Sequence, residues 1–237
     1  MPKLVIGAIV FASLLAALTT AVFWSERIRF AGDGSDIVRH TRLPDSSGFP
    51  LTVERAATIV IEGDSLVAGR RRDGRGDPWP ALLENRLDGP RVINRGRGGF
   101  TAGQGEAFWS KAACSDVAVL LYGANDAAIR GWWHRRKKVP IADYKADLGR
   151  SIRRHIACKA VVVVLAPLAP GSDAMEQRLQ PYRAAARSAA MENGALFVDP
   201  LPAWDGIEAP LTRDGLHLSE CGHAALADYL SNMLQVR

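Results

Sequence analysis

A chain of 237 residues, 48% of them hydrophobic, has the material for one domain with a sizeable core plus a short extension. Its formal net charge is +5, yet no nucleic-acid-binding motif accompanies the basic residues, which argues against a nucleic-acid partner. There is no internal repeat and no low-complexity tract.

Leu4 to Trp24 contains no charged residue and closes on Phe23-Trp24, an aromatic pair suited to a membrane interface. As a helix rising ~1.5 Å per residue, this segment spans a hydrocarbon core of about 30 Å. Residues 1–24 read as a transmembrane anchor, or as a signal segment if Thr19-Thr20-Ala21 is a cleavage site. Lys3 precedes the segment and Arg27 and Arg29 follow it, so charge leaves its orientation open. The expected arrangement puts the following domain outside the cytoplasm, held at the membrane, or secreted if the segment is removed. Residues 25–56, with Gly32, Gly34, Pro44, Gly48 and Pro50 and no clear period, read as a linker.

The domain is expected over 57–237. Its first strand is Thr58–Ile61, followed by an arginine- and glycine-rich loop. A helix should start near Asp77-Pro78, with aspartate as cap and proline at the first position. A second strand, Arg91–Ile93, precedes a helix over Gln104–Ala113. The third strand is Val117–Tyr122. A helix over Ile141–Ile156 leads to the fourth strand, Ala160–Ala166. Another over Ala174–Glu192 leads to the fifth, Leu196–Val198, and a last helix runs from Ser219 to Leu234. Strands alternating with helices predict a parallel, doubly wound α/β sheet of five strands.

Three short blocks stand at the ends of these apolar runs. Gly63-Asp64-Ser65-Leu66 follows the first strand, Asn94 to Thr101 the second, and Gly123-Ala124-Asn125-Asp126 the third. Ligands of open α/β sheets bind in the crevice outside such strand ends, so the blocks should converge. A fourth block, Asp214-Gly215-Leu216-His217, lies near the C-terminus. Together they provide the parts for nucleophilic ester cleavage. Ser65 is the nucleophile, but a serine hydroxyl is weak without a base. His217 can take its proton, and Asp214, three residues earlier, can fix the imidazole tautomer. The Ser65 and Gly99 backbone N–H groups and the Asn125 amide are the candidate oxyanion donors. Gly99 suits a backbone that must approach substrate without a Cβ.

These four blocks, in this order, resemble the signature regions of the GDSL/SGNH hydrolase superfamily over roughly residues 57–235. The resemblance implies a three-layer α/β/α flavodoxin-like fold and a serine esterase acting through an acyl-enzyme, with the roles just given. One departure is Phe100, where the family often carries a polar residue before the threonine, and it bears on substrate preference. The flavodoxin-like order makes the strands after Cys114 and Cys158 neighbours. Both thiols then sit at the sheet end opposite the site, either as a disulfide or as two buried thiols. Cys221, at a helix start, reads as a packed small residue.

The run Arg130 to Lys138 holds Trp132 and Trp133 within a basic cluster. With Phe100 they are candidates for a substrate lip. Docking on an anionic membrane surface and a plain solvated turn are the other readings. Arg70, Arg71, Arg72, Arg75, Arg95 and Arg97 add positive charge near the same edge and lean toward an anionic substrate. His40, His134, His155 and His223 have no paired ligand spacing, so no metal is expected, and no cofactor is required. Asp64 and Asp126 read as supports that hold backbone N–H groups. The substrate is expected to be a small-molecule, glycan or lipid ester, with O-acetyl groups on an extracytoplasmic glycan first. A lysophospholipase or thioesterase is the alternative, as is an O-acyltransferase using the same site. The sequence leaves oligomeric state open.

Overall fold

The computed structural model describes residues 45–69, 76–128, 138–169, 171–209 and 211–237. The apolar segment 1–24, Arg70 to Arg75, and Trp132 and Trp133 lie outside the described residues. Among those described, no helix is long and apolar enough to cross a membrane.

The described chain opens with strand β1 (Leu51–Val53), inside the range read as linker. It pairs in parallel with β7 (Leu234–Val236), in register Leu51 with Leu234. The final helix therefore stops at Asn232, short of the expected Leu234. Between these ends lie β2 (Thr58–Gly63), β3 (Arg91–Gly96), β4 (Val117–Leu121), β5 (Val161–Leu165) and β6 (Leu196–Val198). They form one parallel sheet in the order β3-β2-β4-β5-β6. All five residues of β4 are buried, as a strand covered on both faces requires.

The helices are α1 (Ser65–Ala68), α2 (Trp79–Leu87), α3 (Ala102–Trp109), α4 (Ala124–Ala127), α5 (Ile141–Ala157), α6 (Asp173–Glu192) and α7 (Glu220–Asn232). α2 packs on α7 over one face; α3, α5 and α6 pack together over the other. The crossover from β2 to β3 runs toward one edge and those from β3 through β4 and β5 to β6 run toward the other, so right-handed connections put their helices on opposite faces. α5 shows the sequence logic: Tyr144, Leu148, Ile152 and His155 recur at three- and four-residue spacing and form its buried stripe. α2 begins one residue later than Asp77-Pro78 suggested. Pro78 takes the cap position with no side-chain bond, and Pro80 sits in the first turn, where a missing N–H costs nothing.

Both edges of the sheet are covered by local groups. On the outer side of β3, the Val92 N–H donates to Glu84 Oε1 at 3.0 Å and the Gly96 N–H to Asn94 Oδ1 at 2.8 Å. On the outer side of β6, the Ser46 N–H donates to the Phe197 carbonyl at 2.9 Å, and the Asp199 N–H to Asp45 Oδ1 at 2.7 Å.

Cys114 and Cys158 form a disulfide with Cα atoms 5.5 Å apart, at the start of β4 and β5. It closes a loop of 44 residues of sequence separation. By loop-closure entropy, Cys114→Ser should lower stability by about 2–4 kcal/mol. Urea denaturation reads this directly; an unchanged midpoint would show that the bridge adds nothing. Cys221 is exposed, not packed as its position at a helix start suggested.

Candidate active site

Ser65 opens α1 on the turn that leaves β2. Asp64 shapes that turn: buried itself, its Oδ1 accepts the Leu66 N–H at 2.8 Å. An acceptor there satisfies one of the helix's orphan donors and leaves Ser65 presented at the sheet end. Beneath it, fully buried Trp79 donates its indole N–H to the Leu66 carbonyl at 3.0 Å. His223 on α7 accepts the Trp79 backbone N–H on Nδ1 at 3.3 Å. Burial, with Arg213 and His217 nearby, lowers the His223 pKa to about 4, so it is a neutral packing group at neutral pH.

His217 and Asp214 arrive on a hairpin-like loop ahead of α7. The Arg213 N–H donates to the His217 carbonyl at 2.9 Å and the Ser219 N–H to the Leu211 carbonyl at 2.8 Å. Asp214 Oδ1 accepts the backbone N–H groups of His217, at 2.8 Å, and Leu216, at 3.2 Å. Its Oδ2 lies 2.7 Å from His217 Nδ1. Burial alone would raise this carboxyl; the His217 ring and the backbone donors outweigh it and hold the pKa at about 2. His217 Nε2 in turn lies 3.0 Å from Ser65 Oγ. The tautomer with the proton on Nδ1 satisfies both contacts and leaves Nε2 as the acceptor. Serine, histidine and aspartate thus stand in one hydrogen-bonded line across 152 residues of sequence separation.

The other two blocks flank Ser65. Gly99 adopts φ +83°, a left-handed conformation that favours glycine, and a Cβ there would meet nothing within 4 Å. Its need for glycine is conformational; no neighbouring group crowds it. Asn125, only 6% exposed, donates through Nδ2 to the Phe100 carbonyl at 2.9 Å, which ties block three to block two. Gly123 at φ +134° makes the turn out of β4, where a Cβ would lie 2.6 Å from Pro167 Cβ. β2 and β4 are adjacent strands whose helices leave to opposite faces, the switch point where such sheets bind ligands. Phe100 is half-buried beside this edge. A cleft of about 570 Å³ between α5 and α6, lined by Lys138, Ile141, Arg178 and Tyr182, contains none of these residues. No cluster among the described residues could hold a metal ion.

The model of the GDSL-like lipase/acylhydrolase family matches residues 62–225. The chain belongs to that family. As a family member it is a hydrolase acting on ester bonds. It is 26% identical over 205 residues to the GDSL lipase Rv0518 of Mycobacterium tuberculosis, covering 79% of this chain and 86% of that one. Its fold is that of Axe2, an acetylxylan esterase from Geobacillus stearothermophilus, with TM-score 0.61, 23% identity, and 75% and 94% of the two chains covered. The fold is likewise that of LAE5, an α/β hydrolase enzyme from the metagenome of Lake Arreo, Spain, with TM-score 0.61, 24% identity, and 76% and 96% covered.

Two buried charge clusters support this GDSL-family site. Asp126, fully buried, accepts the Ala102 N–H on both carboxylate oxygens at 3.2 Å and so anchors the start of α3, just after Gly99 and Phe100. Burial pushes its carboxyl from 3.8 up to about 7, with the Ala102 N–H pulling against that. The folded protein then binds a proton that the unfolded chain releases between about pH 4 and about pH 7, so Asp126 costs stability as pH rises through that window. Asp126→Asn should flatten this decline, read as a smaller fall in urea midpoint across the same pH range. An unchanged fall would show that Asp126 is ionised in the fold throughout.

The second cluster was not legible as such in the sequence. Arg183 on α6, 2% exposed, donates to Glu176 Oε1 at 3.0 Å, Asp199 Oδ2 at 2.5 Å and the Pro167 carbonyl at 3.3 Å. Glu176 Oε2 accepts the Ala169 N–H at 3.1 Å. The loop thus gripped continues to Gly171, whose N–H donates to the Gly215 carbonyl at 3.2 Å within the Asp214–His217 block. The signal was present: Glu176 and Arg183 are seven apart, on the same helical stripe as buried Leu179, Ala186 and Ala190.

Proposed function

We propose that the chain is a serine esterase that removes O-acetyl groups from an extracytoplasmic glycan. The observation that carries the chemistry is the line Ser65 Oγ to His217 Nε2 to Asp214, with separations of 3.0 and 2.7 Å. Ser65 Oγ attacks the ester carbonyl carbon while its proton passes to His217 Nε2. Asp214 stabilises the imidazolium through the Nδ1–H bond. The tetrahedral oxyanion takes hydrogen bonds from the Ser65 and Gly99 N–H groups and from Asn125 Nδ2, already oriented by its bond to Phe100. His217 then gives its proton to the departing alkoxide, leaving an acyl-enzyme. Water, deprotonated by His217, attacks the acyl carbon, the acid leaves and Ser65 regains its proton.

The acetyl-glycan reading draws support from Axe2, an acetylxylan esterase for which serine, aspartate and histidine catalytic mutants are described. The GDSL lipase of M. tuberculosis favours a second reading, a lipid ester. Placement outside the cytoplasm, anchored through residues 1–24 or secreted, draws support from the Cys114–Cys158 disulfide, since such bonds persist in oxidising compartments.

Hydrolysis of p-nitrophenyl acetate, octanoate and palmitate by the full chain tests the function. Turnover confined to acetate supports the deacetylase. Turnover that grows with chain length supports the lipid reading. No turnover without an added sugar acceptor identifies an acyltransferase.

A further inference from the structure

Six arginines crowd the sequence around the nucleophile and glycine turns, and the structure separates two of them. Arg95 is consumed. Its Nη1 lies 3.3 Å from buried Glu62 Oε1, its Nη2 donates to the Ala113 carbonyl at 3.1 Å, and its side chain is 10% exposed. Arg97, two residues on, is exposed. Its guanidinium carbon stands 4.2 Å from the Phe108 ring centroid and 5.6 Å from that of Trp109. Among the described residues, no carboxylate or carbonyl meets its N–H groups.

The setting of Arg97 is fixed. Its backbone N–H donates to the Gly63 carbonyl at 2.9 Å, and its carbonyl accepts the Phe100 N–H at 3.2 Å. Phe108, 50% exposed, is held edge-on by Phe100 at 5.6 Å and by Trp109 at 4.7 Å. A guanidinium stacked on a ring uses its face there and keeps its planar fork of donors free in the other directions. Such a fork matches a carboxylate with two parallel hydrogen bonds and loses little freedom on binding. The backbone that carries it runs directly into Gly99, at the turn proposed to hold the oxyanion.

We propose that Arg97 is a specificity residue that binds a carboxylate on the sugar chain bearing the ester, so that the substrate is an acetylated glycan containing uronic acid. This inference rests on the serine-esterase reading above. It assigns the exposed Phe108 a purpose, as the surface that holds the cation in place. It also separates Arg97, which meets substrate, from Arg95, which closes a buried ion pair.

The test uses the full chain and two substrates: an O-acetylated oligogalacturonide, and the same oligosaccharide with its carboxylates converted to amides. Acetate release gives the ratio of kcat/KM for acid over amide. Arg97→Gln should lower that ratio about tenfold, the loss of one charge-assisted hydrogen-bonded contact. Arg97→Lys, which keeps the charge without the fork, should fall between. Phe108→Ala should lower the ratio in the same direction by releasing the guanidinium. A ratio unmoved by Arg97→Gln overturns the proposal. So does an Arg97 effect confined to lysophosphatidylglycerol over monoacylglycerol, which would assign the cation to a lipid phosphate. Ser65-dependent turnover of p-nitrophenyl acetate, measured alongside, reports separately on the esterase reading.

Discussion

Ser65→Ala is expected to lower kcat on p-nitrophenyl acetate by about 10,000-fold or more, since members of a Ser-His-Asp unit act together and losing one forfeits nearly the whole effect. The hydroxyl removed is the atom 3.0 Å from His217 Nε2, and nothing else in the described site can replace it as a nucleophile in that line. The fold should be unaffected. Ser65 is only partly buried, and the Asp64 cap on Leu66 does not involve its side chain. The circular dichroism spectrum and melting temperature should therefore match the parent, while labelling by a fluorophosphonate should vanish. Retention of more than about a tenth of the parent rate would refute the nucleophile assignment. Loss of activity together with loss of folded signal would mean that the turn, not the chemistry, had been damaged.

Arg183→Ala should have the largest effect on stability. It leaves Glu176 and Asp199, both fully buried, without the cation between them. Removing one partner from a buried charge cluster strands the others in a poor solvent and typically costs about 3–5 kcal/mol. For a domain of this size that corresponds to a fall in melting temperature of about 6–20 °C. Burial already pushes the Glu176 carboxyl up to about 7, with Arg183 pulling against it. Without Arg183 that carboxyl should rise further, so the variant should recover part of the loss at mildly acid pH, where Glu176 takes a proton. The loop from Pro167 to Gly171 would also lose its anchor and, through the Gly171–Gly215 bond, loosen the hairpin that carries Asp214 and His217. Activity is therefore expected to fall at temperatures where the protein is still folded. A melting temperature within a degree or so of the parent would show that the cluster relaxes or admits water.

What could be read from the sequence follows from how local each signal is. The runs Thr58–Ile61, Val117–Leu121 and Leu196–Val198 are short and largely apolar, and each became a strand of the parallel sheet. Motif residues at their ends converge because the sheet brings parallel strand ends to one edge. β1 and β7 escaped because Leu51-Thr52-Val53 and Leu234-Gln235-Val236 are three residues each and pair across almost the whole described chain. Nothing local marks such a pair. The roles of charges were the least legible. Arg95 and Arg97 look alike in the sequence, but Arg95 stands opposite Glu62 in the β2–β3 register and Arg97 lies beyond the strand. Glu176 and Arg183 look like the solvated face of a long helix until their seven-residue spacing is set against the apolar stripe. Glycine at position 99 was anticipated for close approach to substrate; its φ of +83° adds a conformational reason that the sequence does not display.

The side chains and segment that cover the outer strands have a further meaning. An open sheet ends in two rows of backbone groups able to add a strand from another molecule, which is how such proteins begin to aggregate. Here Glu84 and Asn94 occupy donors of β3, and Asp45 with Ser46 occupies the outer side of β6. Residues 45–46, which precede β1 in the chain, thus act as a guard on that flank. A truncation that begins the chain at Ala57 would keep every catalytic group and still expose β6, trading solubility for a shorter protein.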